Sequence, residues 1–89
     1  MSEEMVKTLL IAIFEEEGIY IDSNEEADIN ISNYIKDSLQ FISIIVAIEE
    51  KFGVEISDGI MVLEAFESFH RLIDTIYEML KLKESETQL

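Results

Sequence analysis

Asp37-Ser38-Leu39 is the part of the sequence whose residue types and position suit covalent chemistry. The tripeptide heads a long apolar run that ends at Gly53. Asp37 can accept hydrogen bonds from the first backbone N–H groups of a helix starting there. Gln40, three residues on, can reach back, a capping box with Asp in place of Ser or Thr. Ser38 then stands at the helix N-terminus, where free N–H groups and the helix dipole favour a phosphate. A serine acting as a nucleophile on a substrate needs a base. The one histidine, His70, falls just inside the last helix, and no Gly-x-Ser-x-Gly turn is present. These features argue against a hydrolase and for a serine that is itself modified.

Other groupings carry less chemistry. Residues 22–33, "DSNEEADINISN", place oxygens where a calcium loop needs its first four ligands. Ala27 replaces the glycine at the sixth place and Asn33 the bidentate glutamate at the twelfth, so a solvated loop is expected, with weak divalent-ion binding as the alternative and no dedicated metal site. Glu15-Glu16-Glu17 reads as a solvated helix end, although acids at a C-terminus oppose the dipole. His70 reads as a surface or packing residue. Tyr34 and Tyr77 read as partly buried core members, and Met61 and Met79 as packing residues. The absence of cysteine excludes disulfides, thiolate metal sites and a catalytic thiol.

The elements that must position Ser38 follow from periodicity. Residues 2–17 read as a first helix with Ser2 as N-cap and Gly18 as stop; Met5, Val6, Leu9, Leu10, Ile13 and Phe14 form its apolar face. Residues 19–36 read as a long loop, in which Ile29 and Ile31 alternate with polar residues as if pinned onto a core. Residues 37–52 form the second helix, ended by Gly53. A short helix is expected over 57–63. Ser68 caps a last helix to about Leu82, with Phe69, Leu72, Ile73, Ile76, Tyr77 and Leu80 in one stripe. The expected fold is all-α: a small bundle of three main helices and a short fourth. Residues 1–82 form a single domain and 83–89 a flexible tail.

The second helix is apolar on two sides. At about 100° per residue, Phe41, Ile44, Ile45, Ile48 and Phe52 share one arc and suit a core. Leu39, Ile42 and Val46 lie on the opposite arc with Ser43 and Glu50, and Glu49 at its edge. Three main helices leave no layer to cover this second arc. It is therefore expected to be an exposed apolar strip rimmed by acids, the mark of an interaction site.

Composition bounds the partners. Twenty acidic residues against six basic ones give a formal net charge of −14 over 89 residues. Nucleic acid and anionic membrane surfaces would be repelled, and a partner with a basic patch attracted. No apolar run is long enough to span a bilayer, and the acidic "MSEEMVK" start is unlike a secretory signal. A cytoplasmic monomer is expected.

The sequence resembles the acyl carrier protein family, which includes peptidyl and D-alanyl carriers. The matching residues are Asp37-Ser38-Leu39, "IIVAIEEKFGVEI" over 44–56, and "SFHRLIDTI" from Ser68. The resemblance implies that Ser38, preceded by Asp37, carries 4′-phosphopantetheine donated from coenzyme A by a separate phosphopantetheinyl transferase. It implies a non-catalytic carrier of acyl or aminoacyl thioesters for fatty acid, polyketide or nonribosomal peptide biosynthesis. It also implies that Leu39, Ile42 and Val46 contact partner enzymes, with Glu49 and Glu50 meeting basic docking patches. The chain departs from the family at Ile35, where glycine is common, at Ser57, where proline is common, and at Gln40 and Ser43, surface positions often acidic in fatty-acid carriers. These departures point to a specialised or stand-alone carrier. The alternative is an acidic helical adaptor that binds a basic partner without a prosthetic group, and such an adaptor has no need of Ser38.

Overall fold

Ser2 starts the first helix as expected: its hydroxyl accepts from the Met5 N–H at 3.2 Å. In the computed structural model, which describes residues 2–22, 28–56 and 64–87, this helix, α1, spans Glu3–Glu16. Val6, Leu10, Ile13 and Phe14 are buried along one face. Met5, expected on that face, is 54% exposed, because it lies at the edge of the stripe and no described element covers it. Gly18 takes φ 82, a left-handed turn that a side chain would strain, and lets the chain leave the helix.

The connection that follows is held at several points. Ile19 and Ile31 are buried, and Ile29 is half-buried against the core. The Phe69 N–H donates to the Ile29 carbonyl at 2.8 Å, and the Ser32 N–H to the Phe66 carbonyl at 3.0 Å. The expected pinning is therefore present. A single 3₁₀ turn, Ile31–Tyr34, interrupts the loop; the Asn30 side chain accepts from the Ser32 N–H at 3.1 Å. This turn directs Tyr34 outward at 58% exposure, so Tyr34 is not the partly buried core residue that the sequence suggested.

The second helix, α2, spans Ser38–Phe52. Gly53, at φ 65, ends it, and its N–H donates to the Glu49 carbonyl at 2.9 Å. Residues 57–63 lie outside the described residues, and so do the expected short helix and Met61. The third helix, α3, spans Phe69–Thr87. The sequence placed its end near Leu82 and a polar tail beyond. The helix instead continues because Lys and Glu are good helix formers, and because Lys83 donates to the Gly53 carbonyl at the end of α2. α1 packs against both α2 and α3. Phe14 lies edge-on to Phe66 and Phe69, with centroids 6.0 and 6.3 Å apart, at the centre of the core. The described residues form helices and no strands, the all-α carrier-like architecture that the pattern called for.

The start of α3 is clasped by the loop. Asp28 accepts from the His70 N–H at 3.0 Å and from the Ser68 hydroxyl, while Ser68 Oγ accepts from the Arg71 N–H at 3.1 Å. Partial burial alone would push the Asp28 carboxyl up. The bonds from Ser68 and the His70 N–H, with the nearby His70 ring, outweigh it and hold the pKa below the ordinary value.

Candidate functional site

Asp37 adopts an extended backbone, and its Oδ1 accepts from the Gln40 N–H at 2.8 Å. Ser38 is thereby the first residue of α2, exposed, at the end where N–H groups lack intrahelical acceptors. Its hydroxyl has no hydrogen-bond partner among the described residues. An open hydroxyl beside free N–H donors fits a group joined through phosphate.

Gln40 completes the cap differently from the expected box. Its Oε1 accepts from the Lys36 N–H at 2.7 Å, one residue before the cap rather than at the cap itself. Its Nε2 donates at 3.0 Å to the carbonyl of Glu17, the residue that ends α1. Gln40 is only 9% exposed. The reading of Gln40 as a surface position is therefore corrected: α1 covers it, and its amide ties the end of α1 to the start of α2. The Asp-x-x-Gln spacing signalled half of this role; the bond to Glu17 crosses the fold and left no local trace.

The two faces of α2 separate as their angles required. Ile44 and Ile48 are fully buried and Phe52 nearly so. Phe41 and Ile45 are half-buried rather than central. Phe41 meets Phe66 edge-on at 5.1 Å. With Ser32, Ile35, Ser38 and Phe66 it lines an open cavity of about 240 Å³ directly beside the serine. On the other face Leu39, Ile42 and Val46 are 77%, 56% and 44% exposed. Glu50 is exposed along the same line. Glu49 is half-buried, and its Oε2 accepts from the Ile56 N–H at 2.8 Å, so this acid also anchors the chain leaving α2.

Ser43 is exposed beside the strip and donates to Glu17 Oε1 at 2.7 Å. Glu17 was read only as part of a solvated helix end. The Ser68–Asp28–His70 group has the residue types of a hydrolytic triad but not its wiring. Ser68 bonds to Asp28, and His70 Nδ1 faces the same carboxylate at 3.8 Å. It is a helix cap. Among the described residues no cluster of His, Asp or Glu could hold a metal ion. Residues 23–27 of the calcium-loop-like stretch lie outside the described residues.

Residues 8–76 match the family described as "Phosphopantetheine attachment site". The chain belongs to this family. The match takes in all of α2, the strip and the cap that presents Ser38. A domain of this family is the site of covalent 4′-phosphopantetheine attachment, and such carrier domains are generally non-catalytic. The finding supports a phosphopantetheine-bearing carrier, a role that implies contact with a phosphopantetheinyl transferase and with biosynthetic enzymes. Searches of curated proteins and of solved structures gave no match. Among the described residues no helix is long and apolar enough to cross a membrane.

Proposed function

We propose that Ser38 is the attachment residue and that the protein is a cytoplasmic, non-catalytic carrier, presenting acyl or aminoacyl groups to the enzymes of a biosynthetic pathway. The observation that carries the reading is the position of Ser38. It is an exposed serine with an open hydroxyl at the N-terminus of α2, at the head of an exposed apolar strip, in a chain of the attachment-site family. The serine hydroxyl takes the prosthetic group as a phosphodiester. When bound, 4′-phosphopantetheine supplies a terminal thiol that holds cargo as a thioester.

The chain's own residues do the positioning. Asp37 fixes the helix start, so Ser38 projects from a defined point. The first-turn N–H groups and the dipole stabilise the phosphate charge. Leu39, Ile42 and Val46 run away from Ser38 along α2, so an enzyme gripping them works beside the serine. Glu50, with the open edge of Glu49, meets basic groups at the far end. Burying one such apolar side chain contributes up to about 1.5–3 kcal/mol, so three support only a transient complex once association costs are met. The cavity beside Ser38, below the size usual for a small-molecule site, suits the base of the arm or a small group.

The test is intact-mass spectrometry after incubation with a phosphopantetheinyl transferase, coenzyme A and Mg²⁺. Wild type should gain one phosphopantetheinyl group and Ser38→Ala none. No gain in wild type with several such transferases would remove the carrier reading and favour the unmodified adaptor.

A further inference from the structure

Glu15-Glu16-Glu17 is electrostatically misplaced. Carboxylates at a helix C-terminus oppose the macrodipole, and the last turn of α1 has no basic residue to compensate. For Glu17 the structure supplies a reason. Its carbonyl accepts from Gln40 Nε2 and its Oε1 accepts from Ser43 Oγ, so both backbone and side chain are held against α2. Ser43 follows Ile42 and lies one helical turn from both Leu39 and Val46. The Glu17 carboxylate therefore sits on the rim of the apolar strip, on the side where α1 packs. Its second oxygen has no partner, and no cation pairs with it, among the described residues.

We propose that Glu17 is part of the docking surface, a fixed seat contributed by α1 for a lysine or arginine of the partner that grips Leu39, Ile42 and Val46. This rests on the reading of that strip as the docking face. The occupant follows from charge: a carboxylate already oriented by a hydroxyl, beside apolar side chains and in a chain of net charge −14, matches a basic group at the edge of an apolar cleft. The surface is thus composite. α2 supplies the apolar line and α1 supplies an acid on one edge, which fixes the partner's rotation about α2 as well as its position along it.

The experiment is stopped-flow association of the unmodified 89-residue chain with a phosphopantetheinyl transferase at low and high salt. Glu17→Gln keeps the acceptor for Ser43 and removes the charge. It should slow association about twofold to fivefold at low salt, with the difference vanishing at high salt. Glu3→Gln removes the same charge at the other end of α1, about 20 Å away, and should associate like wild type. Ile42→Ala and Val46→Ala should weaken binding mainly through faster dissociation. If these two weaken binding while Glu17→Gln and Glu3→Gln are indistinguishable, whether both normal or both slowed, the Glu17 seat is overturned and the strip stands. If the strip variants bind normally with their helicity intact, the docking reading fails, and the Glu17 seat with it.

Discussion

Gln40 shows how much a single side chain carries in this fold. Its amide serves the Lys36 N–H and the Glu17 carbonyl, while its own N–H is held by Asp37. Both served groups are backbone atoms at helix ends, where orphan donors and acceptors collect. Gln40→Ala removes both partners inside a covered joint and should cost about 1–3 kcal/mol of folding stability in urea denaturation. Gln40→Glu keeps the acceptor for Lys36 but sets a carboxylate against the Glu17 carbonyl, so it should be no better than alanine at neutral pH. Losses below about 0.5 kcal/mol for both variants would mean that water replaces the amide without penalty. The sequence disclosed the local half of this residue, since Asp and Gln three apart mark a helix start. Its cross-fold half depends on where α1 ends in space, and spacing along the chain carries no such information.

At the scale of elements, α2 was the most legible part of the chain because apolar residues on both of its arcs leave only two arrangements, buried all round or exposed on one side. Leu39, Ile42 and Val46 are exposed while Ile44 and Ile48 are sealed. Ile48→Ala should cost about 2–5 kcal/mol. Ile42→Ala should stay within about 0.5 kcal/mol, as a surface change. Ile45→Ala should fall between them, since Ile45 is half-buried. A reversed order in denaturant melts would mean that the faces are inverted. The alternation of Ile29 and Ile31 likewise disclosed a pinned loop. The 3₁₀ turn at Ile31–Tyr34 was not legible, because four residues are too few to show a period. Nor was the end of α3. Apolar periodicity stops near Leu82, but helix-forming Lys and Glu and the Lys83 bond to Gly53 extend the backbone without an apolar signal. Glu17 was visible as a misplaced charge, and its bond to Ser43 emerges only where α1 meets α2.

For the whole molecule, the net charge of −14 should act on folding and on the proposed docking with opposite signs. Like charges crowded into one small domain repel, and unfolding relieves that repulsion. On the docking role proposed for the strip, the same field would draw a basic partner towards it and quicken encounter. Salt screens both: the Debye length falls from about 30 Å at 0.01 M to about 10 Å at 0.1 M. Raising NaCl across this range should therefore raise the melting temperature. A gain of about 1 kcal/mol corresponds to about 4–8 °C in a domain of this size. The same series should lower the association rate with a phosphopantetheinyl transferase. Dissociation should change little if, as proposed, the apolar contacts of Leu39, Ile42 and Val46 govern it. Glu50→Lys should flatten the salt dependence of association by removing a charge on the strip itself. Glu50 is the better probe than Glu49, whose carboxylate also holds the Ile56 N–H, so its reversal would disturb the fold at the end of α2. The checks are thermal melts by circular dichroism and stopped-flow kinetics on the same samples. A melting temperature that falls with salt would show that specific attractive pairs outweigh the general repulsion. An association rate indifferent to salt, in wild type and Glu50→Lys alike, would show that the acids serve solubility and that the strip recruits its partners by apolar contact alone.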